Sequence, residues 1–259
     1  MEKIAALYLA HLNPVTKAHE KIISQLAECY HVYVFPVVFL KQGIEINTRT
    51  FPFPYELRKK MLLSMFNGHD SIDILPDYNF VSPFIKYLPP ILSPYSWSLR
   101  DGILHDVRED RFISYTGDTA ERIALRLYNL HPIKATRLEI SSSNVKELLY
   151  REALKNLGKS EVNTNLKSSL DSSDHNHHSN HYKYQDKEKS SRESWQKMVP
   201  ESVVHIIREN WDIVEKFAQS IDKTIKIFGM KLPIEGMLKY KSSFTGFEYF
   251  YYPTIDLPL

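Results

Sequence analysis

The sequence predicts an α/β fold in which a parallel, doubly wound sheet carries helices on both faces. Residues 4–10 form a continuous apolar run, which is typical of a strand buried on both faces of a parallel sheet. Apolar residues then recur at helical spacing from His19 to Tyr30, and a second apolar run covers 32–40. Strand, helix and strand within 40 residues make a βαβ unit, whose right-handed crossover makes the two strands parallel. We therefore expect a Rossmann-like architecture with a ligand cleft at the carboxyl ends of the strands.

The same alternation continues along the chain with less regularity. Pro36 predicts a bend or bulge in the second strand, because proline cannot donate to the ladder. Residues 76–98, rich in proline and aromatic residues, predict a long loop over the sheet edge. Further elements are predicted in this order: a helix over 55–66, strands over 71–75 and 111–115, a helix over 119–128, a last strand over 135–140 and a helix over 144–156.

Composition divides the chain into four regions: an α/β domain over 1–157, a polar insert over 158–194, a helix over 195–220 that completes the domain, and an aromatic-rich tail over 221–259. The insert has few apolar residues to offset its ordering entropy, so we expect it to be disordered. The insert contains a histidine cluster that could bind a transition metal, formed by His175, His177, His178 and His181. A solvated linker is the favoured interpretation, and we assign no metal site. The tail has no role that the sequence reveals.

Charge and cysteine content exclude several classes of protein. The 259 residues include 33 basic and 31 acidic side chains, a balance that does not predict a nucleic-acid or acidic-membrane partner. Cys29 is the only cysteine, so no intramolecular disulfide can form. No apolar stretch approaches the roughly 20 residues that span a bilayer, and the start of the chain has no cleavable signal pattern. We expect a cytoplasmic protein, and a homo-oligomer is compatible with these features.

Residues 11–19 are the first candidate site, between the first strand and the first helix. Backbone N–H groups and the helix dipole at such a position favour a polyphosphate. Thr16 and His19 lie one helical turn apart, so their side chains can converge on one phosphate. In the alternative interpretation, Thr16 only caps the helix and His19 is a satisfied histidine on its apolar face.

Residues 140–146 (ISSSNVK) are the second candidate site, directly after the predicted last strand. Three hydroxyls, free N–H donors and Lys146 in the first turn of a helix can hold a second anion. The alternative is a plain N-cap at Asn144, with Glu147 completing a capping box. Both interpretations are compatible, because capping needs one polar residue.

These two segments together resemble the signatures of the nucleotidylyltransferase superfamily. Residues 13–19 (NPVTKAH) resemble its T/HxGH signature, and 140–146 resemble its ISSTxxR signature, in the same order and contexts. Residues 115–118 (YTGD) are similar to a strand-end turn of archaeal nicotinamide-mononucleotide adenylyltransferases, and 50–61 and 195–207 are similar to their second and C-terminal helices. The resemblance covers about residues 1–215 and extends to cytidylyltransferase-like proteins.

The resemblance implies catalytic roles for Thr16 and His19 at the transferring centre. It places Lys146, the third catalytic candidate, on the β- and γ-phosphates together with the serines at 141–143. The full set of nucleotide-binding candidates, with the neighbouring residues that could reach a phosphate, is His11, Asn13, Pro14, Thr16, His19, Thr116, Gly117, Asp118, Arg137, Ser141, Ser142, Ser143 and Lys146. Three residues depart from the family. Ala18 replaces a glycine, His11 replaces an arginine, and Lys146 keeps the charge of an arginine without its bidentate geometry.

The expected activity is transfer of a nucleotidyl group, with adenylyl favoured, from a nucleoside triphosphate to a small phosphate ester. Nicotinamide mononucleotide is the first expected acceptor, pyrophosphate is the leaving group, and Mg²⁺ accompanies the triphosphate. Two alternatives stay open. One is a cytidylyltransferase for a lipid or polyol phosphate, and the other is a catalytically weakened nucleotide-binding protein.

Overall fold

The computed structural model describes residues 4–41, 44–75, 94–116, 119–135, 139–168, 194–227, 230–234, 238–241 and 248–251. Its strands are β1 (Ala5–Ala10), β2 (His31–Pro36), β3 (Leu40–Lys41), β4 (Ile44–Glu45), β5 (Ile72–Ile74), β6 (Phe112–Thr116), β7 (Pro132–Lys134), β8 (Thr224–Ile227), β9 (Met230–Pro233), β10 (Leu238–Lys241) and β11 (Glu248–Tyr251). Its α-helices are α1 (Lys17–Ala27), α2 (Tyr55–Phe66), α3 (Pro94–His105), α4 (Thr119–Leu127), α5 (Ser142–Ser168), α6 (Glu201–Glu209) and α7 (Trp211–Ala218).

The main sheet has five strands in the order β5-β2-β1-β6-β7, and every neighbouring pair is parallel. Strand β1 lies at the centre, where Ala5 pairs with both His31 of β2 and Phe112 of β6. Three pairs of strands form separate two-stranded ladders: β3 with β4, β8 with β9, and β10 with β11. The predicted Rossmann-like class is confirmed.

Helices cover both faces of this sheet. Alternate side chains of β1 therefore pack in two different hydrophobic cores, one on each face. Ala6 and Tyr8 of β1 pack with buried residues of α1, α2, α5, α6 and α7. Leu7 and Leu9 of β1 pack on the other face with Ile103 of α3. A strand buried on both faces needs apolar residues at consecutive positions, which explains the run at 4–10.

Several predicted elements are confirmed, and others differ from their predicted bounds. The last strand is Pro132–Lys134 rather than 135–140. Proline is tolerated as the first residue of an edge strand, since its missing N–H then costs no ladder bond. The loop predicted over 76–98 is also wrong at its end, because α3 begins at Pro94; residues 76–93 lie outside the described residues.

The regions after α5 differ from the predicted boundaries. Helix α5 continues from Ser142 to Ser168, so it extends well into the segment predicted to be disordered. The rest of that segment, 169–193, including the histidine cluster, lies outside the described residues. The single helix predicted over 195–220 is a 3₁₀ turn followed by α6 and α7. Pro200 precedes α6, and Asn210, whose φ of −119° and ψ of 39° are not helical, separates α6 from α7.

No helix in the described ranges is long and apolar enough to cross a membrane.

Candidate functional site

The candidate site lies at the carboxyl ends of β1 and β6. The chain leaves β1 for α1 on one face of the sheet and leaves β6 for α4 on the other face. Two neighbouring strands whose crossovers run to opposite faces leave a crevice between their loops, and ligands of doubly wound sheets bind at such a switch point. The loop after β1, residues 11–16, is therefore placed at the crevice.

Asn13 anchors this loop to the segment before α2. Its side-chain Nδ2 donates to the Phe53 carbonyl at 2.8 Å, and its Oδ1 accepts from the Phe53 N–H at 3.1 Å. Both ends of the buried amide are thus paired within the protein, and the Asn13 side chain holds the loop in place.

His19 and Thr16 meet at the N-terminus of α1, as their spacing predicts. The Thr16 N–H donates to His19 Nδ1 at 3.0 Å, and the Thr16 hydroxyl lies 3.2 Å from the same nitrogen. Burial, helped by the Lys146 charge, lowers the pKa of His19 to about 4. A neutral ring whose Nδ1 accepts carries its proton on Nε2, so His19 presents an Nε2–H donor.

Thr16 is fully buried and is the N-cap of α1. Thr16 thus occupies the N-cap position of the helix and also contacts His19. The first amide of the helix, the Lys17 N–H, donates to the Met198 carbonyl at 3.0 Å and is occupied within the protein.

The N-terminus of α5 is brought against the same loop. The Ser142 hydroxyl donates to the Pro14 carbonyl at 2.9 Å. Ser141 is the residue before the helix, and its Oγ accepts from the Asn144 N–H at 3.2 Å, so the cap predicted at Asn144 lies at Ser141 instead. Ser143 is exposed in the first turn. The positive ends of two helix dipoles, α1 and α5, thus lie side by side.

The buried side chain of Lys146 joins the loop after β1 to the segment before α2. Its ammonium donates to the Asn13 carbonyl at 3.0 Å and to the Thr50 carbonyl, and the side chain is buried. Burial, followed by repulsion from Lys231, lowers the pKa of Lys146 to about 7. Lys146 therefore braces the loops that border the crevice and gives the site a cation whose charge titrates near neutral pH.

This burial predicts a pH dependence of stability that belongs to Lys146. Its folded pKa of about 7 lies below the ordinary lysine pKa of 10.5, so the unfolded chain binds more protons between these values. The free energy of unfolding therefore gains up to about 1.4 kcal/mol per pH unit as pH rises through this window. We expect denaturant melts of Lys146→Met to lack this gain. The exposed Lys155→Met on the same helix should retain the wild-type slope, and equal slopes in all three proteins would contradict the assignment.

His11 ends in a different environment from the one the resemblance implies. Its ring packs on Phe51, with centroids 4.6 Å apart, and on Phe39 at 5.7 Å. Burial, with the charges of Lys146 and Arg58, lowers the pKa of His11 to about 3, so the ring is neutral. Its buried Nδ1 has no hydrogen-bond partner among the described residues.

Arg58 of α2 supports the candidate site, and it was not assigned to the site from the sequence. Its buried guanidinium donates through Nη1 to the carbonyls of His11 at 2.7 Å and Val37 at 2.8 Å. Nη2 contacts Glu45 Oε1 at 3.2 Å, and the Glu45 carboxylate accepts from the Tyr55 N–H at the start of α2. Arg58 therefore holds the chain segments that leave β1 and β2.

The remaining predicted residues divide into two groups. Thr116 ends β6, is buried, and accepts through its carbonyl from the Ala135 N–H at 2.9 Å. Gly117, Asp118 and Arg137 lie outside the described residues.

No family model matches this chain. No curated protein matches it either. Several solved structures are similar to it at 14% identity. One is a protein from Vibrio parahaemolyticus assigned to the nicotinate-nucleotide adenylyltransferases, with a TM-score of 0.37 over 58% of this chain and 88% of that chain. Two are the nicotinic acid mononucleotide adenylyltransferase of Plasmodium falciparum, complexed with APC (TM-score 0.36) and with NaAD (TM-score 0.38), each over 82% of this chain and 98% of that one.

Proposed function

We propose that this chain is a nucleotidyltransferase, which transfers an adenylyl group from ATP to a small phosphate ester and releases pyrophosphate. The observation that carries the proposal is the meeting of two helix N-termini at the switch point, tied together by the Ser142–Pro14 and Lys146–Asn13 contacts beside neutral His19. A triphosphate carries the negative charge that both N-termini favour.

The proposed chemistry requires positioning and charge stabilisation rather than a base. A phosphate oxygen of the acceptor attacks the α-phosphorus, and the bond from that phosphorus to the bridging oxygen of the β-phosphate breaks. The attacking oxygen already carries negative charge, so no proton has to be removed. The Nε2–H of His19 donates to the phosphate oxygens as charge moves to the leaving pyrophosphate.

Magnesium is proposed to accompany the triphosphate and to neutralise part of its charge. Mg²⁺ prefers oxygen ligands and is held in such sites by one or two protein groups, with phosphate oxygens and water supplying the rest. The exposed Ser141 and Ser143 offer hydroxyl oxygens at the N-terminus of α5.

A second candidate function is nucleotide binding with little transferase activity. It is favoured by the hydrogen bonds that Lys146 makes within the protein. The Lys146 ammonium is committed to two main-chain carbonyls, whereas the resemblance implies an arginine on the phosphates. If Lys146 keeps those contacts when nucleotide binds, the charge available to the leaving group is reduced.

Calorimetric titration with ATP and with CTP, in the presence of Mg²⁺, tests the proposal. We expect ATP to bind more tightly than CTP, because an unpaired exocyclic group on the wrong base costs about 1–3 kcal/mol. Nicotinamide mononucleotide should then bind to the ATP-loaded protein. Tighter binding of CTP would favour the cytidylyltransferase alternative, and absence of binding by either nucleotide would contradict the proposal.

A further inference from the structure

The segment that follows α7 is connected to the candidate site through one residue, Thr50. Both carboxylate oxygens of Asp222 contact Thr50: Oδ1 accepts from its N–H at 3.3 Å and Oδ2 from its hydroxyl at 2.8 Å. The Thr50 carbonyl in turn accepts from the Lys146 ammonium, which also bonds the Asn13 carbonyl. A continuous path of hydrogen bonds therefore runs from an exposed carboxylate to the loop after β1.

Arg49, the residue before Thr50, holds this segment of the chain against two helices. The Arg49 guanidinium donates to the carbonyls of Phe217 and Ala218 at the C-terminus of α7, where a cation also complements the helix dipole. The Arg49 carbonyl accepts from the Tyr150 hydroxyl of α5 at 2.7 Å, and the guanidinium lies 4.5 Å from the centre of that ring. Residues 49–50 are thus held on one side by α5 and on the other by the end of α7.

We propose that Asp222 is a positioning residue of the candidate site, which holds Thr50 and, through it, the Lys146 ammonium. The consequence for nucleotide binding rests on the proposed function, whereas the effect on Lys146 does not. The sequence does not reveal a role for the start of the tail. Under this proposal it becomes a part of the site, although Asp222 lies 76 positions after Lys146 in the chain.

Charge supports the same assignment. Asp222 raises the pKa of Lys146, while Lys231 of β9 lowers it together with burial. His11 and His19 also face Lys146, but both are neutral because burial lowers their pKa values. Two residues that follow α7 therefore act on the protonation of Lys146 in opposite directions.

The test is an NMR titration of lysine side-chain signals, with the Lys146 signal assigned by its loss in Lys146→Met. Asp222→Asn keeps the size of the side chain and removes its charge, and it should move the Lys146 midpoint to lower pH by about half a unit or more. Lys231→Gln should move it to higher pH. Asp70→Asn, at an exposed position in the turn before β5, is the matched control and should leave the midpoint unchanged.

The second readout is ATP affinity of the same variants at a pH above the wild-type midpoint. Asp222→Asn should weaken binding by about threefold or more, since a smaller fraction of Lys146 is charged. An unmoved midpoint in Asp222→Asn, or shifts of the same sign in the Asp222 and Lys231 variants, would overturn the proposal. If the wild-type chain does not bind ATP, the proposed function fails, and the titration still decides whether Asp222 positions Lys146.

Discussion

Replacing His19 with alanine is expected to lower turnover by about 10²–10³-fold in a chain that remains folded. Loss of a single preorganised donor to developing negative charge has costs of this size. The tautomer supports this role, because the Thr16 N–H occupies Nδ1 and leaves the proton on Nε2. The low pKa of His19, about 4, keeps the ring in this neutral donor form throughout the physiological range.

Two further variants separate chemistry from helix capping. His19→Asn retains an acceptor for the Thr16 N–H, so it should recover the capping stability, typically about 1 kcal/mol, without recovering the rate. His105→Ala, at an exposed position in α3, should leave both rate and stability unchanged. Steady-state kinetics and thermal melts measure the two effects. A loss of turnover smaller than tenfold in His19→Ala would show that the imidazole does not serve the reaction.

Replacing Arg58 with methionine is expected to destabilise the chain by about 3–5 kcal/mol. The substitution leaves the Glu45 carboxylate without its cation and the His11 and Val37 carbonyls without their charged donor. Because these carbonyls belong to the segments that leave β1 and β2, nucleotide affinity should fall along with stability.

Denaturant unfolding of Arg58→Met and Arg58→Lys measures the effect. Lysine keeps the charge but not the guanidinium fork, so its variant should lie between wild type and Arg58→Met. Arg126→Met, on the exposed side of α4, should change stability by no more than about 0.5 kcal/mol. A cost below about 1 kcal/mol in Arg58→Met would mean that the buried network does not hold the strand ends.

The central part of the fold could be predicted from the sequence because its strands are buried on both faces. Residues 4–10 carry an unbroken apolar run, and β1 forms where this run predicts it. The edge strand Pro132–Lys134 lacks such a pattern, since two of its three residues are exposed. Edge strands bury little surface and leave a weak signal.

The candidate site could be predicted where its residues are close in sequence and not where they are distant. Thr16 and His19 are one helical turn apart, and their meeting follows from helix geometry alone. The contact of Lys146 with Thr50 joins residues 96 positions apart, and no local pattern indicates it. The sequence did contain a signal for Arg58. This charged residue lies beside Leu57 and Met61 of the predicted inner face of α2, and a buried charge requires partners.

Release of pyrophosphate shows directly whether this chain is a nucleotidyltransferase. The purified chain is incubated with Mg²⁺ and each of the four ribonucleoside triphosphates, with and without nicotinamide mononucleotide or another small phosphate ester. We expect pyrophosphate with ATP only when an acceptor is present, in equal amount to the phosphoanhydride-linked product, and loss of that release in His19→Ala. Release of inorganic phosphate instead, or no pyrophosphate with any triphosphate and acceptor, would contradict a nucleotidyltransferase.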